Sequence, residues 1–253
     1  MTTNSKPTLV FVHGAFAESS SWDGVITQLA AEGYLISAHA NPLRSVKSDA
    51  DNLRGLLQSI EGPIVLIGHS YGGMVITGAA HGNNHVKALI YVAAFAPEVG
   101  ESAADLSGRF PGSSLGSTLL PAKLPDGGTD LYIQQDKFWQ QFAADVPEAQ
   151  AKLMAATQRP ITEAALTEAS SAASWKDIPS WFIFGDSDKN IPAKAQQFMA
   201  ERAGAKETVV IAGGSHVVMI SHPDSVAKLI EAAVSSLLES SPNAHVVHFN
   251  TVQ

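Results

Sequence analysis

The chain of 253 residues contains no cysteine, so disulfide bonds, thiolate nucleophiles and thiolate metal sites are excluded. Basic residues are scarce as well, because 16 lysines and arginines stand against 24 acidic residues and give a net charge of −8. Nucleic acids and anionic membranes bind proteins mainly through clustered cations, and the sequence has no basic run of five or more. The composition therefore predicts neither of these partners.

Long apolar runs are also missing. The N-terminal segment has one lysine and then only a short apolar stretch before His13, which is shorter than the core of a signal peptide. No stretch approaches the length of about 18 apolar residues that a membrane-spanning helix needs. The sequence predicts a cytoplasmic protein that does not enter a membrane.

Hydrophobic residues, by contrast, are abundant. They make up 45% of the chain against 16% charged residues, which is enough apolar material for a large core and argues against disorder in the body of the chain. A length of 253 residues suits one α/β domain, or one such domain with an inserted lid.

Six short apolar runs alternate with longer amphipathic segments. The runs are continuous rather than alternating, which is typical of strands buried on both faces of a parallel sheet. Their positions are 8–12, 34–40, 63–68, 86–94, 180–185 and 207–213. The segments between them have the caps and periodicity of helices. This alternation predicts an α/β fold: a doubly wound, mostly parallel sheet of about six strands covered by helices.

The alternation is interrupted between residues 97 and 179. A stretch rich in glycine, serine and proline is followed there by three helix-like segments. We expect a helical cap over the C-terminal edge of the sheet, where open α/β sheets bind ligands. The alternative is a helical decoration that does not contact substrate. The predicted division is a core of residues 1–96 and 180–240, a cap of residues 97–179, and a peripheral C-terminal tail of residues 241–253.

The segment Gly68-His69-Ser70-Tyr71-Gly72 matches the pattern G-x-S-x-G of a nucleophile elbow. An apolar run precedes it and a helix-like segment follows it, which is the context that an elbow requires. The helix N-terminus behind the serine favours negative charge at a reacting centre. The alternative reading is a small hydroxyl that fits a tight turn. We interpret Ser70 as a nucleophile.

A serine nucleophile needs a base and a group that orients the base. Asp186 and Asp188 follow the fifth predicted strand, and His216 follows the sixth. We predict His216 as the base and Asp188 as the orienting acid, because the third residue beyond a strand can turn back toward a histidine. Asp186 is the alternative acid, and either aspartate could instead cap the helix that begins near Pro192.

An oxyanion hole would complete this arrangement. One donor is predicted to be the backbone N–H of Tyr71, directly after the nucleophile, and the other the N–H of Ala15, in the loop after the first strand. Phe16 is the next candidate for the second donor. His13 is expected to brace this loop rather than to exchange protons.

The candidate substrate-binding residues are Phe16, His69 and Trp139. Trp139 belongs to an aromatic group of the insertion that either covers a cavity or packs the insertion itself. His81 and His85 have the i, i+4 spacing of a metal pair, but the glycine and asparagines between them break helices, so no metal site is predicted.

Taken together, the segments "HGAF", "GHSYGG", "GDSDKNIP" and "GGSHVVMISHP" resemble the α/β-hydrolase superfamily over nearly the entire chain. The short N-terminus resembles the compact branch that holds small bacterial esterases, plant methyl esterases and hydroxynitrile lyases. The resemblance implies a small-molecule ester as substrate and neither a metal nor an organic cofactor. It also implies that Ser70, His216 and Asp188 act through an acyl-enzyme. The oligomeric state is not predicted.

Two alternatives remain open within this resemblance. Hydroxynitrile lyases carry a lysine beside the catalytic histidine, whereas this chain has Val217 there, and Ala15 replaces the polar loop residue of that group. Lyase chemistry is therefore disfavoured. A ligand receptor without turnover is the second alternative, because some receptors with this fold retain all three catalytic residues.

Overall fold

A computed structural model of the protein describes residues 6–239. The six strands of the main sheet and the three strands of a smaller sheet alternate with helices along the chain. The strands are β1 (Thr8–Val12), β2 (Ile36–His39), β3 (Ile64–His69), β4 (Val86–Val92), β5 (Leu119–Lys123), β6 (Thr129–Ile133), β7 (Ile161–Thr162), β8 (Ser180–Gly185) and β9 (Glu207–Ile211).

Ten α-helices are assigned within the same residues. They are α1 (Asp23–Ala31), α2 (Val46–Leu57), α3 (Gly72–Ala80), α4 (Ala103–Gly108), α5 (Gln135–Phe142), α6 (Glu148–Thr157), α7 (Glu163–Thr167), α8 (Ala193–Arg202), α9 (Val218–Ser221) and α10 (Pro223–Glu239). Short 3-10 turns lie at Ser19–Trp22, Leu115–Thr118 and Ser174–Lys176. No helix within residues 6–239 is both long and apolar enough to cross a membrane.

The main sheet has the order β2-β1-β3-β4-β8-β9, and all of its neighbouring strands pair in parallel. All six predicted strands are present, so the predicted fold class is confirmed. Strands β3 and β8 are buried along their whole length, whereas the edge strands β2 and β9 are partly exposed. Because parallel strands end at the same edge, the loops after β1, β3, β8 and β9 lie at that edge.

The insertion differs from its prediction in one respect. It contains the three predicted helices, α5 to α7, together with the short helix α4, and it also contains a three-stranded antiparallel sheet of order β5-β6-β7. The description as a helical cap was therefore incomplete. Strand β5 includes Pro121 and is largely exposed, and β7 has only two residues, so neither gives a continuous apolar run. None of the three joins the main sheet, and the predicted tail of residues 241–253 lies outside the described residues.

Candidate active site

Ser70 occupies a sharp turn between β3 and α3. Its backbone has φ of +53°, in the left-handed region that residues with a side chain rarely adopt. The turn is held by the Ser70 N–H, which donates to Ala93 O at 3.1 Å, and by Ser70 O, which accepts from the N–H groups of Gly73 and Phe95 at 2.9 and 3.2 Å. The surrounding hydrogen bonds thus maintain a strained conformation of the kind found at functional sites.

The two glycines after Tyr71 allow the close approach of three backbone segments at this turn. A Cβ atom on Gly72 would lie 2.3 Å from Val12 O, and one on Gly73 would lie 2.0 Å from Phe95 O. Both distances are far below contact with a backbone oxygen, so neither position has room for a side chain. The glycines of the motif are therefore required by packing of α3 against the ends of β1 and β4.

Asp188 and His216 form a buried pair, with His216 Nδ1 lying 2.7 Å from Asp188 Oδ2 and both side chains fully buried. The carboxylate also accepts from the N–H groups of Asn190 and Ile191 at 2.8 and 3.0 Å and from Gln196 Nε2 at 2.9 Å. Four donors hold this carboxylate in place. It accepts the Nδ1 proton of the imidazole, which leaves Nε2 as the acceptor nitrogen.

His216 Nε2 has no hydrogen-bond partner within residues 6–239. The imidazole packs against His69, the neighbour of Ser70, with a ring-centroid distance of 4.7 Å, and against Phe142 at 5.2 Å. The loops that carry His216 and Ser70 therefore meet. No hydrogen bond joins Ser70 Oγ to the imidazole in this structure, and catalytic hydrogen bonds often tighten only when substrate binds.

Asp186 contacts the histidine loop at a different point. Its Oδ1 accepts from the N–H of Gly213 at 2.7 Å, and no hydrogen bond joins Asp186 to the imidazole of His216 within the described part of the chain. The two loops also touch through their backbones, since a Cβ on Gly185 would lie 2.0 Å from Gly214 O. Asp186 therefore supports the loop that carries His216, whereas Asp188 contacts the imidazole itself.

The loop of residues 13–18, here called the β1 loop, is braced by His13 and Asn41. His13 Nδ1 donates to Gly14 O at 2.8 Å, and His13 Nε2 accepts from the Asn41 N–H at 3.0 Å. Asn41 Nδ2 donates in turn to His13 O at 3.0 Å. These bonds require a neutral imidazole with its proton on Nδ1. Asn41 was missed by the sequence analysis because it belongs to no motif.

Ala15, Phe16 and Tyr71 all line a cavity together with Ser70. The Phe16 N–H donates to Arg159 O at 2.9 Å, so this amide is already engaged. The N–H groups of Ala15 and Tyr71 donate to no backbone carbonyl within residues 6–239. Of the two candidate donors in the β1 loop, Ala15 is therefore the one whose amide has no backbone acceptor within residues 6–239.

Two buried histidines make the stability of the fold depend on pH. Burial lowers the pKa of His13 from 6.5 to about 4, and burial followed by the nearby His216 lowers the pKa of His69 well below 6.5. Below pH 6.5 the unfolded chain binds the protons that the folded protein excludes, so stability is lost as the pH falls. We expect His13 alone to reduce the free energy of unfolding by about 2 kcal/mol between pH 7 and pH 5.

Urea denaturation at pH 7, 6 and 5 measures this change. Burial raises the pKa of Asp49, which acts in the opposite direction, so a His13→Gln variant isolates the contribution of His13. This variant should lose less stability than the wild type over the same interval, and the exposed His81→Asn variant should match the wild type. Equal slopes for the wild type and His13→Gln would contradict the assignment.

The cavity beside Ser70 has a volume of about 240 Å³, and no charged side chain lines it. Its walls come from the elbow, the β1 loop, the loop after β8 and the insertion. The insertion contributes mostly small or apolar residues: Ala103, Ala104, Ser107, Leu115, Leu119 and Leu166. The insertion thus forms part of the cavity wall rather than a remote decoration. Within residues 6–239, no three side chains of the metal-ligating types converge on one point.

Among the three predicted substrate contacts, Phe16 lines the cavity and the other two do not. His69 is fully buried, and its Nε2 donates to His216 O at 2.9 Å. Trp139 lies on α5 with its indole N–H donating to Val146 O at 2.9 Å. The aromatic residue of the insertion that contacts the imidazole of His216 is Phe142, whose ring meets it edge-on.

Helical spacing could have identified Phe142. In α5, Phe138 and Phe142 are separated by four residues and share the buried face, with their rings 4.9 Å apart. Trp139 lies about 100° away around the helix and is only partly buried. Helical periodicity therefore favours the phenylalanine pair over Trp139 as the buried side of α5.

The insertion is joined to the loops of both Asp188 and His216. Gln141 Nε2 donates to Lys189 O at 3.0 Å and to Asn190 Oδ1 at 2.7 Å, beside Asp188. Asp145 Oδ2 accepts from the Ser215 N–H at 3.1 Å, beside His216. Side chains of the insertion therefore support the backbone on both sides of the buried pair.

A profile of the alpha/beta hydrolase family matches residues 9–229. The alpha/beta hydrolase nvfD of Aspergillus novofumigatus is 25% identical over 257 residues, covering 92% of this chain and 99% of that protein. Salicylic acid-binding protein 2 of Nicotiana tabacum is 25% identical over 251 residues, covering 88% of this chain and 96% of that protein.

The crystal structure of polyneuridine aldehyde esterase superimposes with a TM-score of 0.78 at 19% identity, covering 90% of this chain and 100% of that one. This likeness shows a shared fold over nearly all of both chains. The family profile spans most of the sequence and includes the elbow, Asp188 and His216. The protein belongs to the alpha/beta hydrolase family.

Proposed function

We propose that the protein is a serine hydrolase that cleaves small, uncharged carboxylic esters through an acyl-enzyme. The observation that carries this proposal is the buried pair of Asp188 and His216, whose imidazole packs beside the elbow of Ser70. Four donors fix the carboxylate, and the carboxylate fixes the imidazole. A free acceptor nitrogen near a serine in a strained turn is the arrangement that activates a hydroxyl.

The reaction proceeds in two halves. Ser70 Oγ attacks the ester carbonyl while His216 Nε2 takes the hydroxyl proton, and the N–H groups of Ala15 and Tyr71 bind the carbonyl oxygen as it becomes negative. His216 then gives that proton to the departing alcohol, leaving an acyl group on Ser70. Water repeats the sequence on the acyl-enzyme, which releases the carboxylic acid and restores the serine.

The size and chemistry of the cavity indicate the class of substrate. A volume of about 240 Å³ corresponds to the space of about eight water molecules in the liquid. The lining offers hydroxyl, amide and apolar groups but no charged partner for an ionic substrate. These features favour a short acyl or alkoxy group without charge. The name of the structural neighbour, an esterase, supports the same reaction class.

We expect p-nitrophenyl acetate and butyrate to be hydrolysed with kcat/KM at least tenfold above that of the dodecanoate, since a twelve-carbon chain would extend beyond a cavity of about 240 Å³. Steady-state kinetics across this series measure the preference. A fluorophosphonate should label the protein once, and peptide mapping should place the label on Ser70.

Three results would contradict the proposal. A label on another residue would remove Ser70 as the nucleophile. Release of cyanide from a cyanohydrin in the absence of ester turnover would indicate a lyase. Tight binding of a small ligand with no turnover of any ester would indicate a receptor.

A further inference from the structure

The β1 loop is held by one residue of the insertion, Arg159, at two separate points. Arg159 lies between α6 and β7. Its backbone carbonyl accepts the Phe16 N–H at 2.9 Å, and its guanidinium binds both carboxylate oxygens of Glu18 at 3.1 and 3.2 Å. A two-bond guanidinium–carboxylate pair fixes direction as well as distance. Arg159 therefore constrains the loop at Phe16 and again two residues later.

These contacts bear on the orientation of Ala15. The peptide between Gly14 and Ala15 carries the Ala15 N–H on the side opposite its carbonyl, and that carbonyl is held by His13 Nδ1 at 2.8 Å. The next peptide carries the Phe16 N–H, which is held by Arg159 O. Both peptide planes that flank Ala15 are thus fixed, one by the buried side chain of His13 and one by Arg159 of the insertion.

The backbone at Phe16 needs such support. Its φ of +59° lies in the left-handed region, which is unfavourable for a residue with a side chain. A loop free of Arg159 would relax toward ordinary dihedral angles, and this relaxation would rotate the peptide plane next to Ala15. The strained conformation persists because the surrounding contacts determine it.

We propose that Arg159 is a positioning residue of the oxyanion hole, acting through its ion pair with Glu18 and its carbonyl bond to Phe16. The ion pair holds the Arg159 backbone against the β1 loop, and the loop in turn presents the Ala15 N–H to the cavity. This inference rests on the proposed hydrolase function. The insertion would then have two roles: it lines the cavity, and through Arg159 it positions a donor that stabilises the transition state.

A surface ion pair with no role in the reaction is the competing explanation. The side chains of Arg159 and Glu18 are 37% and 34% exposed, and such pairs add little to folding stability. The two explanations differ in what they change. A surface pair with no role in the reaction would leave kcat unchanged when it is removed, whereas a positioning pair alters the binding of the tetrahedral oxyanion and hence kcat.

We expect Arg159→Ala and Glu18→Gln each to lower kcat for p-nitrophenyl butyrate by about tenfold, with KM unchanged within twofold. Complete loss of an oxyanion donor costs on the order of 10²- to 10³-fold, so a donor that is loosened but still present should cost less. The affinity for butylboronic acid, which forms a tetrahedral adduct on the serine, should fall by a similar factor. The charge exchange Glu18→Arg with Arg159→Glu should recover part of the lost activity.

The matched control is Lys152→Ala, which removes another ion pair of the insertion, the exposed pair with Glu148 at 3.0 Å. This variant should retain wild-type kcat and boronate affinity. Thermal melting of all variants tests folding. Glu18→Gln removes the charge of the pair without changing Arg159 itself, so it still tests the inference should Arg159→Ala fail to fold. Wild-type kcat in a folded Glu18→Gln variant would overturn the inference while leaving the hydrolase function intact. A wild-type protein that hydrolyses no ester would overturn both.

Discussion

Replacing Ser70 by alanine is expected to lower ester turnover by on the order of 10⁵-fold while the protein remains folded. Without Oγ there is no atom to form the acyl-enzyme, and only binding and the oxyanion donors remain to accelerate attack by water. The fold should persist because alanine keeps the Cβ atom in the same strained turn. No hydrogen bond of Ser70 Oγ is found within residues 6–239, so the substitution leaves no protein group unsatisfied.

The measurement is kcat/KM for p-nitrophenyl butyrate together with the melting temperature. Ser107→Ala is the matched control, because Ser107 lines the same cavity and also loses a hydroxyl. The control should stay within a few-fold of the wild type. Activity above 1% of the wild type in a pure Ser70→Ala preparation would exclude Ser70 as the nucleophile.

The second large effect is expected for Asp188→Asn, with a loss in kcat of about 10³- to 10⁴-fold. The carboxylate of Asp188 accepts four hydrogen bonds, from two backbone N–H groups, Gln196 and His216. An asparagine brings an NH₂ group into this set of donors. The two backbone N–H groups keep the amide oxygen at the Oδ1 position, so the NH₂ takes the place of Oδ2 and faces both Gln196 and His216. Gln196 then loses this acceptor, and the imidazole takes the tautomer whose Nε2 carries a proton and cannot accept one from Ser70. A buried polar group without a partner also costs about 1–3 kcal/mol of stability.

Asp186→Asn is the matched control, because Asp186 lies in the same loop, two residues before Asp188. Asp186 is exposed, and its Oδ1 accepts from the Gly213 N–H, a bond that an amide oxygen can also make. We expect kcat within about fivefold of the wild type, because no bond to the imidazole is disturbed. A larger loss for Asp186→Asn than for Asp188→Asn would exchange the roles of the two aspartates.

Much of the fold follows from one signal, the continuous apolar run. Strands such as Ile64–His69 and Ser180–Gly185 are buried on both faces, and every residue of such a strand must tolerate burial. Strand Leu119–Lys123 escapes the same reasoning because its side chains are mostly exposed. The position of such a strand is determined by its pairing partner and not by the core. It therefore has no continuous apolar run in the sequence.

In the candidate site, too, some residues could be predicted from the sequence and others could not. Ser70, Asp188 and His216 could be predicted because a motif, a strand end and chain order each limit their positions. Asn41 and Arg159 could not, since neither belongs to a motif and each meets the β1 loop from a distant part of the chain. Contacts of this kind depend on where two distant segments meet, and a single sequence does not give that distance.

The anchoring of the insertion has a consequence for protein engineering. Gln141 and Asp145 form hydrogen bonds with the backbone beside Asp188 and His216. Arg159 binds the β1 loop. A chimaera that receives the equivalent segment from another family member would gain a new pocket shape but lose these three attachments. We therefore expect the chimaera to show the new specificity with impaired rates, unless the donor segment carries matching side chains at positions 141, 145 and 159.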